Sequence, residues 1–330
     1  MRRLGVAVAS AALAVTPAPA RADAWESARD PHAHRARRTA EAVERLAIAA
    51  ARARRWRFES GFQRAAVAVV ELARREGVRS AELDALMAEL LLGWPDAIPD
   101  DRPRRFAEAR ALLEASLPRL PVARQASAWF LLAIACARLG DPRCERRAYD
   151  RALEVEWRTD ARANILLNRA ETSLVLGDVD ASVRGYRAAL GLAQTPVHLA
   201  LAWYGLAIAL ERRGDLAAAL PAVRAAAAVR MPASGGRALD EPSVFFVPAY
   251  DRHYYEALEA LGLAGDATSP AERRALLELA REHLDAWLEA ARPERSRWLR
   301  NAERLRAHLE AALARESPGA ARPGDGAARR

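Results

Sequence analysis

The chain has 330 residues, of which 52% are hydrophobic and 28% are charged, enough for one large domain or two ordinary ones. Much of the hydrophobic fraction is alanine, and runs of Val, Ile, Thr and aromatic residues are nearly absent, which excludes a mainly β fold and favours an all-α fold. The formal net charge is +8 and every basic residue is arginine. These arginines are interleaved with Asp and Glu along the whole chain, as on solvated helix faces, so we expect no nucleic-acid partner. An anionic partner of another kind is the alternative explanation of the charge.

The N-terminus is typical of an export signal. Arg2 and Arg3 precede an apolar stretch over residues 4–15, and small residues then supply a cleavage site, so residues 1–22 are predicted to be a signal peptide cut after Ala22. The mature protein is expected in the periplasm or outside the cell. A retained N-terminal anchor is the alternative, and an uncleaved cytoplasmic protein would favour an adaptor role. We expect no membrane span after this segment.

Residues 23–125 are predicted to form divergent helical hairpins. Helical patterns cover residues 33–54, 61–76, 80–92 and 103–117. His32 and His34 lie close to Asp30, but two histidines without a third positioned ligand are a weak metal signal. We interpret them as solvated side chains.

The dipeptide Gly-Asp recurs at a fixed period further along. Gly140, Gly177 and Gly214 each precede an aspartate and are 37 residues apart. Each pair lies between two helical patterns, and glycine permits a left-handed turn between helices. A constant period with a turn at the same place indicates stacked helical hairpins. A fourth unit, with its turn at Gly265, follows an insertion at residues 231–249.

Before each turn, the first helix carries a large residue followed by a small one. After the turn, the second helix carries a small, an aromatic and another small residue in that order. The carriers of this pattern in the first two units are Trp129, Ala133, Tyr149, Ala152, Leu166, Ala170, Tyr186 and Ala189. The pattern resembles that of the tetratricopeptide repeat family. With the predicted signal peptide, the chain would be an exported bacterial member of that family. The usual period of that family is about 34 residues, so each unit here carries about three more, which we place in the connection between repeats.

The resemblance implies a right-handed α-solenoid of helical hairpins. Its repeats would occupy residues 126–291, followed by a C-terminal capping helix at 292–315 and a disordered tail at 316–330. In this family the first helix of each repeat lines a concave groove that binds a partner. The residues that the resemblance places in the groove are Phe130, Ile134, Asn164, Leu167, Glu171, Tyr204, Ile208 and Tyr255.

Two features of this groove are open from the sequence. Some members of the family bind a C-terminal carboxylate with Lys, Asn and Arg at set places on three successive first helices. We expect no such clamp here, because only Asn168 matches one of these places. The insertion contains the apolar run at residues 244–247, which either folds into the groove and plugs it or leaves the groove open. Trp129, Trp203, Tyr254, Tyr149 and Tyr186 are interpreted as core residues.

Cys136 and Cys144 flank the turn at Gly140. They are expected on neighbouring helices at similar height, where either a disulfide or two unpaired thiols is possible.

Signatures of chemistry are missing from the sequence. No phosphate-binding loop, nucleophile elbow or zinc-protease motif occurs, and His198, His253, His283 and His308 are scattered over predicted helices. We therefore expect no enzyme activity, no cofactor and no metal. The leading hypothesis is a non-enzymatic periplasmic scaffold that binds a protein or peptide in its groove, within an envelope or secretion assembly. The alternatives are a cell-wall or polysaccharide-binding module and a regulatory subunit of an envelope enzyme.

Overall fold

The computed structural model describes residues 45, 48, 60–75, 77–93, 102–232, 234–241, 244, 246 and 248–316. Within these ranges the secondary structure is helical, with turns and no strand, which confirms the all-α prediction for this part of the chain. The predicted signal peptide, nearly all of the predicted helix at 33–54 and the tail from residue 317 lie outside the described residues. None of the described helices combines the length and the apolar character that crossing a membrane requires.

The chain divides into two compact units, residues 1–83 and 84–330. In the first unit, α1 (Ser60–Arg75) buries Val67, Val70 and Ala73 on one face, the spacing of an amphipathic helix. Helix α2 (Ala81–Leu92) begins in the first unit and continues into the second. Both helices begin and end within one residue of their predicted bounds.

The second unit is a succession of helical hairpins. The helices are α3 (Arg102–Ser116), α4 (Val122–Arg138), α5 (Pro142–Val155), α6 (Thr159–Leu176), α7 (Val179–Leu190), α8 (Pro196–Arg212), α9 (Leu216–Ala228), α10 (Asp251–Ala264), α11 (Pro270–Ala291) and α12 (Leu299–Arg315). From α3 to α12 each helix packs against the next, and α8 also contacts the first helices of the neighbouring hairpins, α6 and α10. These contacts are those expected of a helical repeat, while the handedness of the stack and a capping role for α12 stay predictions.

The Gly-Asp dipeptide ends one helix and begins the next. Gly177 adopts a left-handed conformation with φ of 87°, and the amide of Asp178 donates 2.8 Å back to the carbonyl of Ser173. The carboxylate of Asp178 then accepts a hydrogen bond from the amide of Ala181 at 3.1 Å. Glycine thus satisfies the last carbonyls of α6 without a Cβ penalty, and aspartate caps the first amides of α7.

The same junction recurs at the other two turns. Gly140 and Gly214 have φ of 71° and 94°, and the carboxylates of Asp141 and Asp215 accept from amides at the start of α5 and α9. As a result the first helices begin at Val122, Thr159 and Pro196, again 37 residues apart. The sequence period is therefore a period of the structure.

The C-terminal part departs from this pattern. Gly265 has φ of −70°, and α11 begins only at Pro270, where the Ser269 hydroxyl accepts from the amide of Glu272 at 3.1 Å. The last helix begins at Leu299, seven residues after the predicted start at residue 292, because a turn with Arg295 at φ 52° intervenes.

The two cysteines form a disulfide between the last turn of α4 and the first turn of α5. The Cα atoms of Cys136 and Cys144 are 5.8 Å apart, and both residues are buried. The bond spans the junction at Gly140, so the first hairpin is joined covalently as well as through its turn.

Helices α7 and α8 approach closely at Gly205. A Cβ atom at this position would overlap the ring of Tyr186 on α7, and that ring is only 3% exposed. We expect Gly205→Ala to lower the free energy of unfolding by about 1–3 kcal/mol, because a packed interior does not absorb an extra methyl group. Urea denaturation monitored by circular dichroism measures this change.

A double variant provides the control for this contact. In a Tyr186→Leu background the ring is gone, so Gly205→Ala should cost markedly less than in the wild type. Equal costs in both backgrounds would show that the ring does not limit the approach of the two helices.

Candidate functional site

A cavity lies on the first-helix side of the second unit. Its volume is about 380 Å³, within the range of about 300–1,000 Å³ that small-ligand sites occupy. Its walls come from α4, α6, α7, α8, α10 and the insertion: Phe130, Ile134, Asn164, Leu167, Asn168, Glu171, Tyr186, Val197, His198, Leu201, Val244, Phe246 and Tyr255.

Six of the eight residues predicted for the groove line this cavity. They are Phe130, Ile134, Asn164, Leu167, Glu171 and Tyr255. The other two, Tyr204 and Ile208 on α8, do not reach it, and each is 1% exposed within the main hydrophobic core. The structure thus brings α4, α6 and α10 together at one cavity, but it buries the middle of α8.

The insertion covers part of this face. A short 3₁₀ helix (Ala238–Asp240) packs against α8, and its Ala238 and Leu239 are buried. Further along, Phe246 meets Tyr255 edge-on at 5.1 Å between ring centroids, and Val244 and Phe246 form part of the cavity wall. The insertion therefore neither leaves the whole face open nor fills it. The other two members of the apolar run, Phe245 and Val247, lie outside the described residues.

The polar side of the cavity is held in place by local hydrogen bonds. The Asn168 amide donates to the backbone and side-chain oxygens of Asn164 at 2.8 and 3.0 Å. His198 Nδ1 lies 2.9 Å from the Asp160 carboxylate. Burial raises the pKa of Asp160, but hydrogen bonds from His198 and from the Gln194 amide outweigh burial and lower that pKa. These contacts orient the polar groups before any ligand arrives.

Among the described residues of the cavity wall, Glu171 is the one acidic side chain. No side chain in the described ranges lies within hydrogen-bond distance of its carboxylate. Burial, with a smaller contribution from the charge of Asp251, raises the pKa of Glu171 to about 7, although Arg212 opposes the shift. The carboxylate is thus held in surroundings that favour its neutral form or a donor from outside.

A second cavity of about 240 Å³ adjoins the first, and both share Ile134, Asn168 and Glu171. Glu145 of α5 lines this second space. Burial, reinforced by the charge of Glu171, raises the pKa of Glu145 to about 8, against a hydrogen bond with Thr172 that lowers it. Two carboxyl groups with raised pKa values therefore face adjoining cavities.

Arg212, whose positive charge lowers the pKa of Glu171, is itself buried. The Arg212 guanidinium lies 5.4 Å from the ring centroid of Tyr254 and 4.9 Å from that of Trp298. The carboxylate of Asp251 lies 4.0 Å from it. Aromatic faces rather than hydrogen bonds hold this cation, so its position depends on the packing of α8, α10 and the turn before α12.

Several wall residues could not be found from the repeat pattern. Val197 and His198 come from the first turn of α8, whereas the resemblance placed groove residues only further along that helix. Tyr186 belongs to a second helix and is a core residue as predicted, yet its ring also borders the cavity. The signal that could have found Val197 and His198 is the apolar start of α8, where Val197 and Leu201 lie four residues apart on one face.

No protein-family model matches this sequence, and neither does any curated protein.

The raised pKa of Glu171 predicts how the free energy of unfolding changes with pH. A carboxyl group whose pKa is about 7 in the folded chain and 4.5 ordinarily holds its proton more tightly when folded. Its contribution to stability is therefore complete below pH 4.5 and is lost as the pH rises to about 7. Glu171→Gln keeps the shape of the neutral acid, so we expect it to be about 1–3 kcal/mol more stable than the wild type at pH 8.5 and equal to it near pH 4.5.

Urea denaturation at the two pH values measures this difference. Glu154→Gln is the matched control, since that carboxylate is exposed and paired with Arg151 on the surface of α5. A Glu171→Gln variant that is less stable than the wild type at pH 8.5 would show that a cation satisfies the carboxylate.

Proposed function

We propose that this chain is a non-enzymatic scaffold of the tetratricopeptide type that binds a protein or peptide segment in the cavity between α4, α6 and α8. It acts in the periplasm or outside the cell after its signal peptide has been removed, within an envelope or secretion assembly. The observation that carries the proposal is that successive first helices and the insertion line one apolar cavity whose polar groups are already oriented. Proteins of this architecture use such faces to bind extended segments or helices.

The wall chemistry defines the segment that fits. Phe130, Ile134 and Leu201 offer apolar surface to one or two bulky side chains, each of which gains about 1.5–3 kcal/mol when it leaves water. Glu171 offers an unpaired carboxylate, which a Lys or Arg of the segment would satisfy. The amides of Asn164 and Asn168 offer hydrogen bonds to a peptide backbone. An apolar anchor next to a basic residue is therefore the expected motif.

Binding without catalysis agrees with the residues present. The described part of the cavity wall contains no Ser, Thr, Cys or Lys that could act as a nucleophile, and the His198 ring nitrogen nearest to a carboxylate faces Asp160. Positioned hydrogen-bonding groups in an apolar wall are those of a recognition site.

One exposed aromatic residue supports a second function. Trp157 lies in the connection between α5 and α6 and is 83% exposed. Its amide and that of Arg158 donate to the Glu156 carboxylate at 3.0 and 2.9 Å, so the turn that presents it is ordered. A flat, exposed indole suits the apolar face of a sugar ring, which is the chemistry of the cell-wall or polysaccharide alternative.

A cavity-filling substitution separates these functions. Asn164→Trp places a large side chain in the cavity without removing a core residue, and we expect it to reduce capture of the partner from envelope extracts at least about tenfold, the equivalent of about 1.4 kcal/mol. Trp157→Ala is the control and should capture the partner as the wild type does. Quantitative mass spectrometry of the captured proteins gives the ratio.

The opposite result would assign binding to the surface around Trp157 instead of the cavity. Loss of binding to purified peptidoglycan in Trp157→Ala, with unchanged protein capture in Asn164→Trp, would contradict the groove proposal. Circular dichroism must show equal helicity for both variants.

A further inference from the structure

Three potential metal ligands converge outside the cavity, between α10 and α11. His253 and Glu256 are three residues apart on α10, so they lie on the same face of that helix. His283 reaches the same point from α11. The sequence indicated no metal site here because 30 residues separate the two histidines along the chain, and only the packing of the two helices unites them.

The distances between the three ligand atoms are those of a metal site. Nδ1 of His253 and Nδ1 of His283 are 3.4 Å apart. Oε2 of Glu256 lies 3.7 Å from the first nitrogen and 3.4 Å from the second. A tetrahedral ion with bonds of about 2.0–2.1 Å places its ligands about 3.3–3.4 Å apart. The point in their plane that is equidistant from these three atoms is roughly 2.0 Å from each, so the spacing of the three atoms fits a bound ion.

The carboxylate of Glu256 is oriented by the contacts of Oε1, the oxygen that does not face the histidines. Oε1 of Glu256 accepts a hydrogen bond from Arg252 Nε at 2.9 Å, and an Arg237 nitrogen lies 3.6 Å away. Glu256 is only 8% exposed, so this arrangement fixes Oε2 toward the two imidazoles. An outer partner that orients a ligating carboxylate is a regular feature of protein metal sites.

The local charge permits a divalent cation. Arg237 and Arg252 both contact Asp240, and Arg237 also lies 3.3 Å from Glu259. With Glu256, three carboxylates therefore face two guanidinium groups. The surplus negative charge offsets the repulsion that the arginines alone would exert on an ion.

The site is open to solvent on the histidine side. The His253 side chain is 42% exposed and that of His283 is 25% exposed, and their rings stack with centroids 5.6 Å apart. An ion can therefore enter directly from water, and a water molecule can occupy its fourth position.

From this geometry we propose that His253, Glu256 and His283 bind one divalent transition-metal ion of the Zn²⁺ class. Two imidazoles and one carboxylate suit Zn²⁺, Cu²⁺ or Ni²⁺ rather than Mg²⁺ or Ca²⁺, which prefer oxygen ligands only. The ion would join α10 to α11 and thereby stabilise the C-terminal hairpin. This site is separate from the proposed peptide cavity.

Titration of the chelator-treated full-length protein with Co²⁺ tests the site, since tetrahedral Co²⁺ absorbs visible light. We expect the absorbance of the wild type to saturate at one equivalent and to disappear when Zn²⁺ displaces the cobalt. His253→Gln and His283→Gln should each weaken binding at least about tenfold. Zn²⁺ should also raise the thermal midpoint of the wild type but not that of these variants.

Two controls keep the assignment specific. His198→Gln removes a histidine that faces a single carboxylate, and it should bind cobalt as the wild type does. A variant with both His32 and His34 changed to Gln tests the N-terminal pair and should also bind normally. Unchanged binding in His253→Gln and His283→Gln, or loss only in the His32 and His34 variant, would overturn the proposal. Absence of tetrahedral absorbance in the wild type would overturn it as well.

Discussion

The turn between paired helices is the constraint on which the described structure depends. A left-handed glycine satisfies the end of one helix, and the aspartate that follows caps the start of the next. Each aspartate cap contributes about 1 kcal/mol, and the glycine avoids a comparable backbone penalty. The larger consequence is geometric, because three identical junctions place three first helices at equal intervals along the chain. Stacking then brings their equivalent faces together.

The cavity follows from this arrangement and from the insertion. Equivalent positions of α4 and α6 supply apolar walls, while α8 contributes only its first turns and the insertion packs against this helix. The same insertion sets Arg237 and Asp240 against α10. One departure from the repeat therefore shapes two features, the cavity and the orientation of Glu256. Both features depend on the insertion, which the repeat pattern alone does not describe.

Much of the fold could be predicted from sequence because it depends on local chemistry. The glycine period and the helix starts near Ser60 and Ala81 follow from turn and capping preferences that act over a few residues. The face of Phe130, Leu167 and Glu171 could be inferred from the resemblance. The burial of Tyr204 and Ile208 could not, because it depends on how the surrounding helices pack into one core. The contact between His253 and His283 could not be inferred either, because it is a tertiary contact between two helices.

Left-handed glycines set the register of the hairpins. Gly214 has φ of 94°, and a methyl group added there would meet no neighbouring atom, whereas Gly191 has φ of −68° and a methyl group there would make only ordinary contacts. The unfolding free energies of Gly214→Ala and Gly191→Ala test the claim most directly. The first variant should lose about 1 kcal/mol through backbone strain alone, and the second should be unchanged or up to about 1 kcal/mol more stable. Equal effects at the two positions would contradict the account.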